Sequence, residues 1–152
     1  RVIMEPGRMM VGNAGILVTR VIYVKETEGH TFVIVDGAMN DLIRPTLYDA
    51  HHEIRPVVDP GPGAPRQVVD VVGPVCETGD YLALGRDLPR AAPGDLFAVM
   101  TAGAYGAVQA CTYNTRLLVP EVLVNGAEAA VIRPRATYDD LIGLDRVPGW
   151  LR

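Results

Sequence analysis

The segment Gln67-Val-Val-Asp-Val-Val72 runs directly into Gly73-Pro-Val-Cys-Glu-Thr-Gly-Asp80, and this junction organises the rest of the chain. The first part is an apolar run of strand length, which glycine and proline then interrupt. We therefore expect Cys76 and Glu77 on a short turn at a strand end, where scaffolds often present functional groups. The neighbouring carboxylate disfavours a thiolate, so Cys76 is expected to stay protonated and able to donate a proton. A small apolar cysteine beside a solvated acid is the alternative, and it is the commoner situation for such a pair taken alone.

Composition predicts a folded globular protein of one domain, with 152 residues, 49% hydrophobic and 21% charged. A net charge of −4 without a basic stripe argues against nucleic acid or an anionic membrane as a partner. No apolar run approaches the roughly 20 residues of a membrane helix, and no signal peptide is visible. Two cysteines, Cys76 and Cys111, fit a cytoplasmic protein rather than a disulfide scaffold, and Cys111 is expected to be buried. The chain passes from Arg1 straight into an apolar run, which suggests a piece of a longer protein.

Short β-rich segments separated by turn residues dominate the chain. Strands are predicted at 2–4, 16–25, 31–35, 54–58, 67–72, 96–100, 108–113, 121–124 and 128–132, the last two joined at Asn125-Gly126. Residues 81–84 and 87–88 are predicted as short segments with turns around them. Short helices are predicted at 9–17, 45–52 and after Thr137, with Asp140 near its first amides. Long helices do not alternate with these strands, which argues against a doubly wound parallel sheet. We predict a mainly β fold, an antiparallel β-sandwich or Greek-key barrel with a few short helices.

Several polar side chains fall at the ends of these elements. Pro45 can begin a helix, which places Arg44 just before it and Tyr48 about one turn later, so that both can face one space. His51 and His52 are adjacent and would point about 100° apart on a helix, so they make a poor metal clamp and we predict no metal site.

Four motifs together resemble one family: Glu5-Pro-Gly-Arg8, Asp36-Gly-Ala-Met-Asn-Asp-Leu-Ile-Arg-Pro-Thr-Leu-Tyr48, the Cys76 turn, and Gly103-Ala-Tyr-Gly106 with Tyr113-Asn-Thr-Arg116. The chain resembles the C-terminal part of diaminopimelate decarboxylases, pyridoxal-phosphate (PLP) enzymes of the alanine-racemase-like fold. The resemblance implies that residues 1–14 are the tail of the PLP-binding α/β barrel, a remnant of it at the N-terminus, and that residues 15–152 are the C-terminal β-domain. It also implies that the lysine forming the Schiff base with PLP lies outside this chain, so the fragment alone should be inactive.

The resemblance assigns roles residue by residue. For the cofactor, Glu5 matches the acid that pairs with the pyridine nitrogen, Arg8 lies near the phosphate and the substrate carboxylate, and Tyr105 contacts cofactor and substrate. The phosphate and the carboxylate are both anions, and a guanidinium group binds either of them well. The full-length parent is thus expected to be a PLP-dependent carboxy-lyase of lysine biosynthesis.

For the substrate, the resemblance implies that Arg44, Tyr48 and Glu77 bind, together with Arg8 and Tyr105. The far end of meso-diaminopimelate carries an ammonium and a carboxylate, and Glu77 with Arg44 supplies the matching charges. Cys76 matches the proton donor that acts after decarboxylation. In the family its turn comes from the partner subunit, so a homodimer with shared active sites is expected.

Two other functions remain open from the sequence. A related PLP decarboxylase could act on ornithine, arginine or carboxynorspermidine, although Arg44 with Tyr48 argues against a simple diamine product. Alternatively, the chain could be a free-standing β-barrel interaction module without catalysis. A substrate panel on the full-length parent tests the first alternative. Inspection of the upstream reading frame for a barrel with a PLP lysine tests the second.

Overall fold

A computed structural model describes residues 1–151, which divide into a first compact unit, Arg1–Ala110, and a second that begins at Cys111. The first unit contains the strands β1 (Leu17–Thr27), β2 (His30–Val35), β3 (Ile54–Pro56), β4 (Arg66–Val72), β5 (Tyr81–Pro89) and β6 (Leu96–Val99). Its helices are short: α1 (Arg8–Val11), α2 (Arg44–Tyr48) and two 3-10 turns, Gly12–Ala14 and Ala107–Gln109.

The six strands form one sheet in the order β3-β6-β1-β2-β4-β5, and the edge strands β3 and β5 approach each other so that the sheet nearly closes into a barrel. The predicted mainly β barrel is therefore confirmed. Strands β1 and β2 form the predicted antiparallel hairpin. One pair departs from the antiparallel expectation, because β2 and β4 are parallel. The long connection over residues 36–65 makes this possible, since parallel neighbours need a crossover rather than a tight turn.

Alternation along the strands places the core inside this barrel. In β2 and β4, Val33, Val35, Val69 and Val71 are buried, and the residues between them are less buried. This two-residue period is the signature of a sheet with one face packed inward. The other large, fully buried apolar side chains are Val21, Leu42, Leu82, Phe97 and Val99.

A glycine bulge explains why β5 is longer than predicted. The segments predicted at 81–84 and 87–88 form one strand, which continues through Gly85 with a φ of 57°. The amide of Gly85 donates to Asp70 Oδ1 at 2.6 Å, and the β4–β5 register shifts nearby. A bulge allows a strand to bend while it stays paired with its neighbour. In the sequence, the glycine and the polar residues beside it resemble a turn between two separate segments.

Two predicted strands are absent from the described residues. Residues 2–4 have no regular structure, and Val2 is 86% exposed. Residues 108–113 give way to 3-10 turns, and Val108 is 80% exposed. A strand forms only where a neighbour accepts its backbone hydrogen bonds, which residue type alone does not reveal. The helix predicted at 45–52 is also shorter, because Asp49 adopts a left-handed φ of 51° and ends α2.

The second unit contains a hairpin of β7 (Glu121–Asn125) and β8 (Glu128–Arg133), a 3-10 turn at Tyr113–Thr115, the helix α3 (Tyr138–Ile142) and a last 3-10 turn at Gly149–Leu151. The predicted hairpin is confirmed with its loop moved by one residue, since Asn125 pairs with Glu128 and Gly126 takes a φ of 60°. Thr137 and Asp140 form a complete capping box at α3. Cys111 is exposed, so its predicted burial is wrong. Across residues 1–151, none of the helices has the length and apolarity to cross a membrane.

Candidate functional site

Arg44 lies between two aromatic rings. It begins α2, and its guanidinium carbon is 5.6 Å from the ring centroid of Tyr48, one turn further along. The same carbon is 5.9 Å from the ring of Tyr105, which belongs to the glycine-rich loop after β6. At these distances the ring faces attract the cation and restrict its position. Three of the sequence-predicted binding residues are thus brought together in the first unit.

A buried donor on Arg44 is left without a partner. The side-chain Nε of Arg44 is shielded from solvent, and none of the residues 1–151 accepts a hydrogen bond from it. An unsatisfied buried donor costs on the order of 1–3 kcal/mol, and more when the group is charged. An anion that binds at this guanidinium would recover that cost, and a carboxylate matches its fork geometry.

Tyr105 connects the Arg44 cluster to the N-terminal segment. The backbone of Tyr105 adopts a left-handed φ of 58°. A Cβ placed on Gly7 would come 2.6 Å from the Tyr105 hydroxyl. The loop itself is held against residues 11–15, since the amide of Ala102 donates to Gly15 at 2.8 Å and that of Gly103 to Gly12 at 3.0 Å. A side chain on Gly103 would collide with backbone atoms there, which explains why this loop is rich in glycine.

The two predicted cofactor residues of the N-terminal segment, Glu5 and Arg8, are both exposed. In sequence they lie on either side of Gly7, the glycine against which the Tyr105 hydroxyl packs. Arg8 begins α1, and its aliphatic stem lies over Gly12.

Cys76 and Glu77 occupy an exposed turn between β4 and β5, as the sequence predicts. Two hydrogen bonds tie this turn to the segment around α2. Asp80, at its end, accepts a hydrogen bond from the Met39 amide, and the Thr46 hydroxyl of α2 donates to the Gly79 carbonyl. The turn is therefore fixed beside α2 by groups that the sequence did not single out.

His52 is a second polar group that the sequence interpretation missed. It is 1% exposed, and its Nδ1 lies 2.9 Å from the Met100 carbonyl. A carbonyl can only accept, so Nδ1 carries the proton. Burial lowers the pKa of His52 below 6.5, and the guanidinium groups of Arg44 and Arg8 lower it further, against the opposing bond to Met100. The imidazole is thus neutral, with its Nε2 buried and unpartnered among residues 1–151.

The chain contains one lysine, Lys25, which is exposed on β1, where it pairs with Phe32 of β2. In the part of the chain that the structure describes, histidine, cysteine, aspartate and glutamate nowhere form a group of three or more that could hold a metal ion.

Residues 9–103 match the model of a family described as "Pyridoxal-dependent decarboxylase, C-terminal sheet domain". The chain belongs to this family. The chain is 50% identical over 151 residues to the diaminopimelate decarboxylase of Zymomonas mobilis, covering 99% of this chain and 35% of that protein. It is 54% identical over 139 residues to the Pseudomonas aeruginosa enzyme of the same name, covering 91% of this chain and 33% of that one.

Solved structures agree with this membership. The chain superposes on diaminopimelate decarboxylase from M. jannaschii in complex with L-lysine with a TM-score of 0.91 and 38% identity, covering 97% of this chain and 33% of that one. The chain therefore spans about a third of the length of the curated relatives that it matches.

Proposed function

We propose that the chain is the C-terminal part of a diaminopimelate decarboxylase, which converts meso-2,6-diaminopimelate to L-lysine and carbon dioxide. In this proposal residues 1–14 end the PLP-binding α/β barrel, residues 15–152 form the β-domain, and the protein works in the cytoplasm. Support comes from about 50% identity to enzymes of that name along almost the whole chain. The chain alone should be inactive, because the resemblance places the lysine that forms the Schiff base with PLP in the barrel, outside this chain.

The unpartnered Nε of Arg44 is the observation on which the substrate assignment depends. Held between Tyr48 and Tyr105, the guanidinium has few positions open to it and a donor to satisfy. We propose that it binds the distal carboxylate of the substrate together with Tyr48. Glu77, on the exposed turn, binds the distal ammonium. A substrate that lacks one of these charges would leave Arg44 or Glu77 without a partner. Because such an unpaired group costs free energy, the site would strongly reject close analogues.

The exposed Glu5 and Arg8, with Tyr105 beside them, suit an anionic, aromatic cofactor. PLP, when bound, accepts the electrons left behind as the carboxylate departs. Glu5 would pair with the pyridine nitrogen and hold its proton, and Arg8 would pair with the phosphate or the reacting carboxylate. Tyr105 would contact cofactor and substrate.

Cys76 is the proposed proton donor. Carbon dioxide leaves as the carbon–carbon bond breaks, and a proton from Cys76 Sγ forms the new carbon–hydrogen bond of L-lysine. The exposure of its turn allows it to serve the active site of a partner subunit in a homodimer. Replacing Cys76 with Ala in the full-length protein should slow turnover sharply while PLP still binds. Cys111→Ala is the matched control, and an unchanged rate in Cys76→Ala would remove Cys76 from the mechanism.

The decisive experiment is a substrate panel on the full-length polypeptide loaded with PLP. Release of carbon dioxide is measured from meso-diaminopimelate, ornithine, arginine and carboxynorspermidine. The proposal expects meso-diaminopimelate to have by far the highest kcat/KM. A preference for another member would replace the assigned substrate, and a polypeptide without an upstream barrel would favour the interaction module.

An Arg44→Lys variant tests the assigned ligand within the same panel. Lysine keeps the charge but loses the planar fork, so we expect kcat/KM for meso-diaminopimelate to fall about 100-fold, mainly through KM. Arg55→Lys is the matched control, because Arg55 is exposed and pairs with Glu53 at 2.8 Å. Equal effects of the two variants would show that Arg44 does not bind the substrate.

A further inference from the structure

The turn that carries Cys76 is folded around one buried carboxylate. Asp80 is 4% exposed, and its Oδ2 accepts the Val75 amide at 2.6 Å. The backbone carbonyl of Asp80 accepts the Gly73 amide at 2.9 Å, and the Asp80 amide donates to the backbone carbonyl of Glu77 at 3.0 Å. The bond from the Val75 amide to the carboxylate is charge-assisted, and such bonds are shorter and stronger than neutral ones. Asp80 therefore bonds to residues before and after Cys76.

Gly73 shows how closely the turn fits this carboxylate. A Cβ on Gly73 would overlap the side-chain oxygens of Asp80, so no larger residue fits unless the carboxylate moves. Gly79 is similarly confined, since its Cβ would come 2.6 Å from the Thr46 Cγ2. The two glycines of the turn are thus explained by close approach rather than by flexibility.

The second oxygen of Asp80 reaches a different part of the chain. Oδ1 accepts the Met39 amide at 2.7 Å, across 41 positions of sequence. Met39 belongs to the loop between β2 and α2, which is itself ordered by the Ala38 amide bound to Asp41 Oδ2 at 2.9 Å. This loop leads directly into Arg44, the first residue of α2. One carboxylate thus links the turn of the proton donor to the segment that positions the substrate ligand.

We propose that Asp80 is a positioning residue that sets the place of Cys76 during proton transfer. The inference rests on the proposed role of Cys76 as proton donor. Asp80 acts through its two accepted amide bonds and touches neither substrate nor cofactor. Because reacting groups displaced by about 1 Å lose on the order of 100-fold in rate, loosening this turn should be visible in kcat.

Asp80→Asn in the full-length, PLP-loaded protein is the test. The amide group keeps the shape but can accept only one of the two backbone bonds, and its NH2 faces the other donor. We expect kcat for meso-diaminopimelate to fall about 10- to 100-fold. In a Cys76→Ala background the same change should cost less than about 2-fold, because the residue acts through Cys76. Asp95→Asn is the matched control, since Asp95 accepts the Ala92 amide at 2.8 Å in a turn remote in sequence from the site residues.

A thiol measurement separates failure of this inference from failure of the proposed function. In a Cys111→Ala background, the rate of Cys76 alkylation by iodoacetamide should change at least about 3-fold in Asp80→Asn and stay constant in Asp95→Asn. Equal losses of kcat with and without Cys76, or an unchanged alkylation rate, would overturn the positioning role. If Asp80→Asn does not fold, Asp80→Glu must show the same dependence on Cys76. A protein inactive on meso-diaminopimelate would sink the proposed function, and alkylation would still decide the role of Asp80.

Discussion

Buried His52 makes the stability of this chain depend on pH in a defined direction. Its imidazole is neutral because protonation would place an N–H at the buried Nε2, which has no acceptor among residues 1–151, close to the charge of Arg44. The pKa of His52 in the folded chain is therefore below the value of 6.5 that it takes when unfolded. Between these two pKa values the unfolded chain binds one proton more than the folded chain. The free energy of unfolding must then fall as the pH is lowered below 6.5.

The size of this effect follows from proton linkage. A difference of one bound proton changes the free energy of unfolding by at most about 1.4 kcal/mol for each pH unit. The loss begins near pH 7.5, becomes steep below pH 6.5 and stops once the pH is below the folded pKa. Above pH 7.5 the contribution of His52 is complete and constant. Carboxylates also titrate in acid, so only a comparison with a variant isolates the histidine.

The comparison uses His52→Asn, whose amide can still donate to the Met100 carbonyl. Urea unfolding of the chain is followed by circular dichroism at pH 7.5, 6.5 and 5.5. The stability difference between wild type and variant should shrink by up to about 1 kcal/mol between pH 6.5 and 5.5, and by no more than about 0.4 kcal/mol between pH 7.5 and 6.5. His30→Asn, at an exposed histidine, is the control. A difference that stays constant, or grows in acid, would refute the neutral buried imidazole.

Two further predictions concern packing, and both are measured by urea unfolding. Gly73→Ala should lower the free energy of unfolding by about 1–3 kcal/mol, because the methyl group meets the Asp80 carboxylate, whereas Gly149→Ala, with open space around it, should stay within about 0.5 kcal/mol. Leu82→Ala should cost about 2–5 kcal/mol, because Leu82 is 1% exposed, whereas Leu84→Ala, at a side chain 56% exposed, should cost far less; equal losses within either pair would contradict the packing.

Local signals in the sequence were sufficient wherever neighbours along the chain decide the structure. Residues a few positions apart determine the turn at Cys76, the hairpin whose loop contains Gly126, and the cap formed by Thr137. The approach of Arg44 to Tyr48 is local in the same sense, one turn along α2. Tyr105 could be placed beside them only by the family resemblance, because a fold must bring that loop to the helix.

Long-range partners decide what the sequence could not show. Asp80 follows two exposed polar residues, Cys76 and Glu77, and the sequence alone does not distinguish it from a solvent-exposed aspartate. Its long-range partner is the amide of Met39, a donor present in almost any residue, so no side-chain pattern marks the pair. His52 is hidden for the same reason, since its partner is the carbonyl of Met100. The residues that would do chemistry here are recognisable by type, whereas those that hold them are bonded to backbone, which the sequence does not distinguish.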